Sequence, residues 1–313
     1  MKTALFFGFL FLIPSLLFSQ EDSSVIYSPN KFYQFSFIPL PAVASNPANG
    51  WMFGFAPSAS WYMGNPTSTK LSNLVGNLLY TTKKQWIFSS RHTIYLADNA
   101  AMLIGDWRYF LTSQPTFGLG SSTPNDLAEN PNRYGVYWGE QQMEFTLIRF
   151  YEAYLKRIGD SKFYLGVGYH LDIHNRISNF ISETNDPLVV FAHEDYNLSK
   201  RFDPNRYTLS GVTLNAVMEN RDMAVSPYER NFAWMQYKIN PAFLGSDQSS
   251  STLLLDYRHY FNLNTQRKRH LIGVWGMGNF LISGDLPYMN LPSIGWDMFG
   301  RSGRAYAQGR FRG

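Results

Sequence analysis

Strict two-residue alternation limits the folds open to this chain of 313 residues more than any other feature. From Phe163 to His174 every odd position is large and apolar (Phe163, Leu165, Val167, Tyr169, Leu171, Ile173). The even positions are Tyr164, Gly166, Gly168, His170, Asp172 and His174. Successive side chains of a strand point to opposite faces, so the pattern predicts one greasy face and one polar or small one. It recurs. Val212, Leu214, Ala216 and Met218 oppose Thr213, Asn215 and Glu219; Ala233, Met235, Tyr237 and Ile239 oppose Trp234, Gln236, Lys238 and Asn240. Leu253, Leu255, Tyr257 and Phe261 oppose Asp256 and Arg258, with His259 the misfit on the apolar side. Ala101, Leu103, Trp107 and Tyr109 oppose Asp106 and Arg108.

Alternation alone fits a soluble sandwich as well as a membrane barrel, because both have one apolar and one polar face. Three further features favour the barrel. The runs reach about 10 residues or more, the length a membrane strand needs, whereas soluble strands average about 5 or 6. Tyr, Trp and Phe gather near the ends of the runs, as in interfacial girdles. Residues 1–19 read as a secretory signal peptide: Lys2, the apolar run Ala4 to Ile13, and a small Ser19 before Gln20-Glu21-Asp22. Pro14 and the shortness of that run argue against a spanning helix. Residues 20–33 form a short periplasmic lead, and residues 34–313 a barrel domain.

Composition agrees. Charged residues make up 16% of the chain, well under the roughly 25% of a soluble domain, while aromatics reach 17%. With no cysteine, thiol nucleophiles, Cys-ligated metals and lipid anchors on Cys are excluded. A mean hydropathy of −0.24 is too polar for a helical membrane bundle. The net charge of +4 is spread along the chain, so no nucleic-acid partner is expected. Phe32 to Thr69 carries no charge, yet Pro39, Pro41, Pro47, Pro57 and Pro66 rule out a helix there.

Eleven strands are predicted, at about 34–45, 51–63, 72–82, 85–96, 100–111, 140–157, 161–174, 206–221, 231–242, 251–262 and 269–282. With alternating direction, the short links at 158–160 and 264–268 fall at the periplasmic end. The long connections 112–139 and 175–205 fall outside. The tail 283–313 then lies outside or folds back into the lumen. Ser90, Arg91 and His92 blur the alternation, and Arg149 sits in phase with Met143, Phe145 and Leu147, which calls for a bulge or a rim position.

Chemistry-bearing motifs are sparse. His170 and His174 share a face but lie about 13 Å apart along a strand, too far for one ion. His193-Glu194-Asp195 reads as an exposed polar stretch of the fourth outer loop. Gly-x-Ser-x-Gly, His-Glu-x-x-His and phosphate-loop patterns do not occur, and neither a cofactor nor a metal is expected. A barrel hydrolase would have to rely on His259, placed on the outward face. Lys200-Arg201 and Arg267-Lys268-Arg269 read as solvated charge clusters.

Several segments, taken in order, resemble a known family. Ile38-Pro39-Leu40-Pro41, Asn46-Pro47-Ala48-Asn49-Gly50 and Phe53-Gly54-Phe55 resemble the opening hairpin of the BamA/TamA bacterial surface antigen barrels. Phe117-Gly118-Leu119-Gly120-Ser121 is similar to their third outer loop. Gly303-Arg304-Ala305-Tyr306-Ala307-Gln308-Gly309-Arg310-Phe311-Arg312 resembles the Val/Met-Arg-Gly-Phe/Tyr motif of their sixth outer loop with its Gln-Gly-Arg extension. Ala305 stands where the family has Gly, and Gly303 where it has Val or Met.

The resemblance implies an all-β, transmembrane antiparallel outer-membrane β-barrel of a Gram-negative bacterium, with eleven of about sixteen strands present, no POTRA domain and a C-terminal truncation. It implies a non-enzymatic role in inserting or exporting outer-membrane proteins. The partners would be outer-membrane lipid, unfolded client proteins and periplasmic chaperones. It also implies a loop lock, in which Arg304 reaches an acidic residue of a late strand with Tyr306, Gly309 and Arg310 beside it. Pro39, Pro41 and Pro57 cannot donate ladder hydrogen bonds, so the first two strands are the expected lateral seam. A passive channel or structural barrel is the alternative role.

Overall fold

The computed structural model describes residues 35–46, 48–132, 134–179, 190–224, 226–264, 270–294, 306 and 309–313, all within the compact unit Phe32–Gly313. The expected signal peptide and lead, Arg304, and the cluster 267–269 lie outside the described residues.

The chain is all-β. Its long strands are β1 (Ser36–Asn46), β2 (Gly50–Trp61), β3 (Ser72–Thr81), β4 (Trp86–Tyr95), β5 (Ala101–Thr116), β8 (Gln141–Arg157), β9 (Phe163–Asn179), β11 (Tyr207–Glu219), β12 (Arg230–Asn240), β13 (Ser250–Asn262) and β14 (Leu271–Gly284). They form one eleven-stranded sheet in that order, each antiparallel to the next. The eleven predicted strands are all present, with ends shifted by a few residues. Unforeseen were the short strands β6 (Ala128–Glu129), β7 (Val136–Trp138) and β10 (Val190–Phe191), which join the two long connections in a small second sheet, and the helix α1 (Ala192–Ser199). The short elements sit where β5, β8 and β9, at 16 or 17 residues, run past the length a bilayer needs.

The sheet curls on itself. Four neighbour steps separate β4 from β11, yet their last residues touch: the Tyr95 hydroxyl donates to Glu219 Oε2 at 3.1 Å. Lys70, just before β3, reaches the same carboxylate at 3.3 Å and the Arg221 carbonyl at 2.9 Å. Arg221 supplies three further bonds to Glu219, two from its guanidinium at 2.5 and 3.1 Å and one from its amide at 3.1 Å. Among the described residues β1 and β14 each pair on one side only.

Curling gives the sheet an outside and an inside, and the alternation decides which residues go where. On β9, Phe163, Leu165 and Val167 are 54%, 52% and 61% exposed, while His170, Asp172 and His174 are buried within. On β11 and β12, Val212, Leu214 and Met235 face out, and Thr213, Asn215, Trp234 and Gln236 face in.

The inner face is layered rather than uniformly polar. Toward the turn end, Tyr95, Met102, Ile104, Leu155, Tyr164, Val217 and Trp234 form one apolar cluster. Toward the loop end, Met143, Phe145, Leu147, Ile177, Tyr207 and Leu209 form another with Leu286, Tyr288 and Met289. Ionic and polar groups occupy the belt between. This corrects the reading of Arg149: the odd positions of β8 face inward throughout, so Arg149 needs neither a rim nor a bulge of its own. The β8–β9 register shift lies between Glu144 and Thr146.

A different residue breaks the outer pattern. Glu152 follows Ile148 and Phe150 on the outward face, where a carboxylate in an apolar band is costly. Two donors meet it: His92 Nε2 at 3.2 Å and Trp107 Nε1 at 3.1 Å. Gly105 makes room, since a Cβ there would lie 2.2 Å from His92 Cε1. The blurred alternation around His92 thus marks a polar pair on the outer surface.

Candidate functional site: the capped interior

Asp172 is the centre of the polar belt. Arg149 grips it with Nε on Oδ1 at 2.6 Å and Nη2 on Oδ2 at 3.1 Å, the two-pronged geometry a guanidinium offers a carboxylate. The Tyr151 hydroxyl also donates to Oδ2, and Asn290 Nδ2 does so at 2.9 Å. Both of Asp172's oxygens are therefore engaged. Tyr151 in turn stacks on His170 with ring centroids 3.8 Å apart, and the Arg149 guanidinium lies 4.4 Å from the Tyr151 ring centre. His174 packs separately, between Phe145 and Tyr207. Farther round, Arg258 grips Asp256 at 3.0 and 2.6 Å, with Trp275 Nε1 donating at 2.9 Å. Asp106 is held by Arg108 at 2.7 and 2.5 Å.

Above the belt the chain folds back on itself. Of the two placements expected for the tail, residues 285–294 take the inner one. Tyr288 is wholly buried there and its hydroxyl is a hub: it accepts from the Gly118 amide at 3.0 Å, donates to the Gly118 carbonyl at 3.1 Å, and lies 2.7 Å from Thr116 Oγ1. Asn197 of α1 accepts from the Tyr288 amide at 2.9 Å, and Tyr196 donates to the Leu286 carbonyl at 3.1 Å. Lys200 pairs with Asp285 at 2.7 Å, and that contact raises its ammonium pKa above the usual range.

His193 corrects the sequence reading. It lies not on an exposed loop but inside α1, buried against Tyr288, and desolvation pushes its imidazole down to about 4. Asn179 donates to its Nδ1 at 3.3 Å, and Glu194 accepts from Asn179 at 3.0 Å and from the Phe191 amide at 3.2 Å.

The described part of the expected loop lock sits on this cap. Gly309 takes a left-handed φ of +78°, a turn that suits its lack of a side chain. Arg310 donates to the third outer connection: to Thr123 Oγ1 at 2.5 Å, the Thr123 carbonyl at 2.6 Å and Asn125 Oδ1 at 3.2 Å. Its guanidinium also lies over Phe117 and Phe311. Tyr306 is exposed and packs edge-on against Phe311. Arg312, which sequence reasoning passed over, is buried and donates to the Tyr288 carbonyl at 2.8 Å. Its backbone bridges Gly120 and Ser293.

The three prolines of the expected seam stand in an unbroken β1–β2 register from Ser36↔Ser60 to Asn46↔Gly50, with Pro39 opposite Pro57 and Pro41 opposite Phe55. The interruption lies on the other side of β2, where the β2–β3 ladder skips Ala56 and Pro57 and the Pro57 ring packs on Gly76. Pro57 therefore directs its nitrogen at β3. Opposite residues of an antiparallel pair point both nitrogens inward or both outward. Pro39 and Pro41 thus direct theirs at the edge of β1 that no described strand pairs with. His259 is on the outer face as expected, with its Nδ1 3.3 Å from the Tyr257 hydroxyl and its ring against Phe261.

These features define a class: an all-β, barrel-like antiparallel sheet, apolar outside, with an ion-paired and capped interior. Among solved structures the chain is similar to BamA from Haemophilus ducreyi lacking POTRA domains 1–3. The identity is 17% and the TM-score 0.40, over 89% of this chain and 46% of that one. The chain thus spans less than half the length of that relative. No family model and no curated protein sequence matches it.

Proposed function

We propose that the protein is an outer-membrane β-barrel protein of the BamA/TamA type that assists the insertion or translocation of other outer-membrane proteins. One observation carries the membrane part: large apolar side chains stand exposed on the outer face of strand after strand while ionic residues are buried inside, the inverse of a soluble core. In water such a surface would be an aggregation site; in lipid it is solvated.

The assembly role rests on the sequence resemblance and on the free edge of β1. With Pro39 and Pro41 turned outward, that edge offers carbonyls but withholds two amide donors. An incoming strand would pair with it incompletely and leave again, which is what transient β-augmentation of a client requires. The working surfaces would be this edge for clients, the outer face for lipid, and the turn end for periplasmic chaperones. No covalent step is assigned to the chain.

Proteoliposomes holding the full chain test this reading. An unfolded client barrel should become heat-modifiable and protease-protected several-fold faster than in empty liposomes. Equal rates would remove the assembly role, and failure of the protein to remain with urea-washed membranes would remove the barrel reading itself.

A further inference from the structure

Under the cap, the interior holds a cavity of about 510 Å³ between the belt and the tail. That volume falls in the range of small-molecule sites. Its wall is mixed: Leu254, Met277, Met289 and Phe311 are apolar, while Arg149, Lys238 and Arg312 bring positive charge.

Charge balance is the informative part. Arg149 is spent on Asp172, and Asp256 is matched by Arg258. Lys238 is 9% exposed and makes no hydrogen bond or ion pair among the described residues; its Nζ lies 5.1 Å from the centre of the Tyr151 ring. Asp172 lies within electrostatic reach of it but is already fully engaged. Arg312 is 2% exposed and uses only one nitrogen, with Nε and Nη2 unpartnered. Among the described residues, two buried cations therefore border one cavity without a counter-charge of their own, an arrangement that costs free energy until an anion arrives. Beside Lys238, Gln236 adds a side-chain amide to the wall, with Nε2 donating to Asn215 Oδ1 at 2.8 Å, and Asn240 leaves a buried Oδ1 that a protonated head oxygen would satisfy.

We propose that this cavity is a binding site for a small amphiphilic anion, a carboxylate or phosphate head on a short apolar body. The head lies between Lys238 and Arg312, and the body lies along Leu254, Met277 and Phe311. The site is independent of the assembly role: it needs only the capped interior.

The test is calorimetric titration of the full chain in amphipol with octanoate, octyl phosphate and 1-octanol. At least one of the two anions should bind saturably, and the alcohol should only partition. Lys238→Met should weaken anion binding at least tenfold, and Lys238→Arg should retain it. Removing an unpaired buried charge should leave the urea midpoint of Lys238→Met unchanged or higher, so lost binding is not lost folding. Arg312→Gln should weaken binding several-fold as an independent check. Octanol binding as tightly as both anions, or equal anion affinity for the wild type and Lys238→Met, would overturn the proposal.

Discussion

The β8–β9 wall and the β1–β2 hairpin are both antiparallel pairs in unbroken sequence order, yet they are held by different forces. The wall carries a bidentate ion pair, a stacked Tyr–His couple and an apolar cluster on its inner face, and its strands run 17 residues. The hairpin has no ion pair among the described residues. The residues of β1 are exposed on both faces apart from a half-buried Ala42, and β1 is joined to β2 by its main-chain ladder and, at the turn, by the Asn46 side chain, which accepts from the Asn49 amide at 2.7 Å. Side-chain networks fix one geometry, whereas a bare ladder with two absent donors at its free edge can exchange partners. On the proposed assembly role, adaptability would lie at the hairpin and rigidity at the wall.

The sharpest way to break the contrast is Asp172→Asn. It leaves Arg149 buried with its partner charge removed, and the loss should be about 3–5 kcal/mol. A urea titration of the heat-modifiable band measures it. If Asp172→Asn combined with Arg149→Met restores the midpoint, the damage is the orphaned charge; if the single variant is unchanged, the wall is not held as described.

The cap over the wall predicts an acid effect. His193 is neutral when folded, with its pKa near 4 against about 6.5 unfolded. Below pH 6.5 the unfolded chain takes up a proton that the folded chain refuses, so stability falls between pH 6.5 and 4, by up to about 3 kcal/mol. Protonation also removes the Nδ1 lone pair that accepts from Asn179. His193→Gln should flatten this part of the pH profile.

The smallest expected change is at the hairpin. Pro39→Val with Pro41→Val restores two donors to the free edge and should shift stability by no more than about 0.5 kcal/mol. It should nonetheless lengthen client residence in the proteoliposome assay and raise self-association on gel filtration. Unaltered association would mean that the prolines do not face the edge.

Where the sequence was misleading, it was because a side chain was judged along its own strand. Arg149 looked like a flaw in an apolar run, and Asp172 read only as one more member of the polar face of its strand. They are each other's partner, across a register that pairs them directly. His92 blurred its strand for the same reason, since Glu152 lies two strands away. His193 read as exposed because nothing local shows that Tyr288, nearly a hundred residues on, will cover it. Lys238 and Arg312 carry no signal in the sequence, since an unpaired cation is defined by what fails to surround it.

The alternation by itself determined that the chain is all-β, how many long strands it has, and which side chains share a face, because strand geometry has a period of two whatever the surroundings. Only the tertiary structure decided which face closes inward, how the interior divides into apolar layers and an ionic belt, and which carboxylate answers which cation. Those depend on curvature and register between strands far apart in the chain, and a pattern with a period of two residues contains neither.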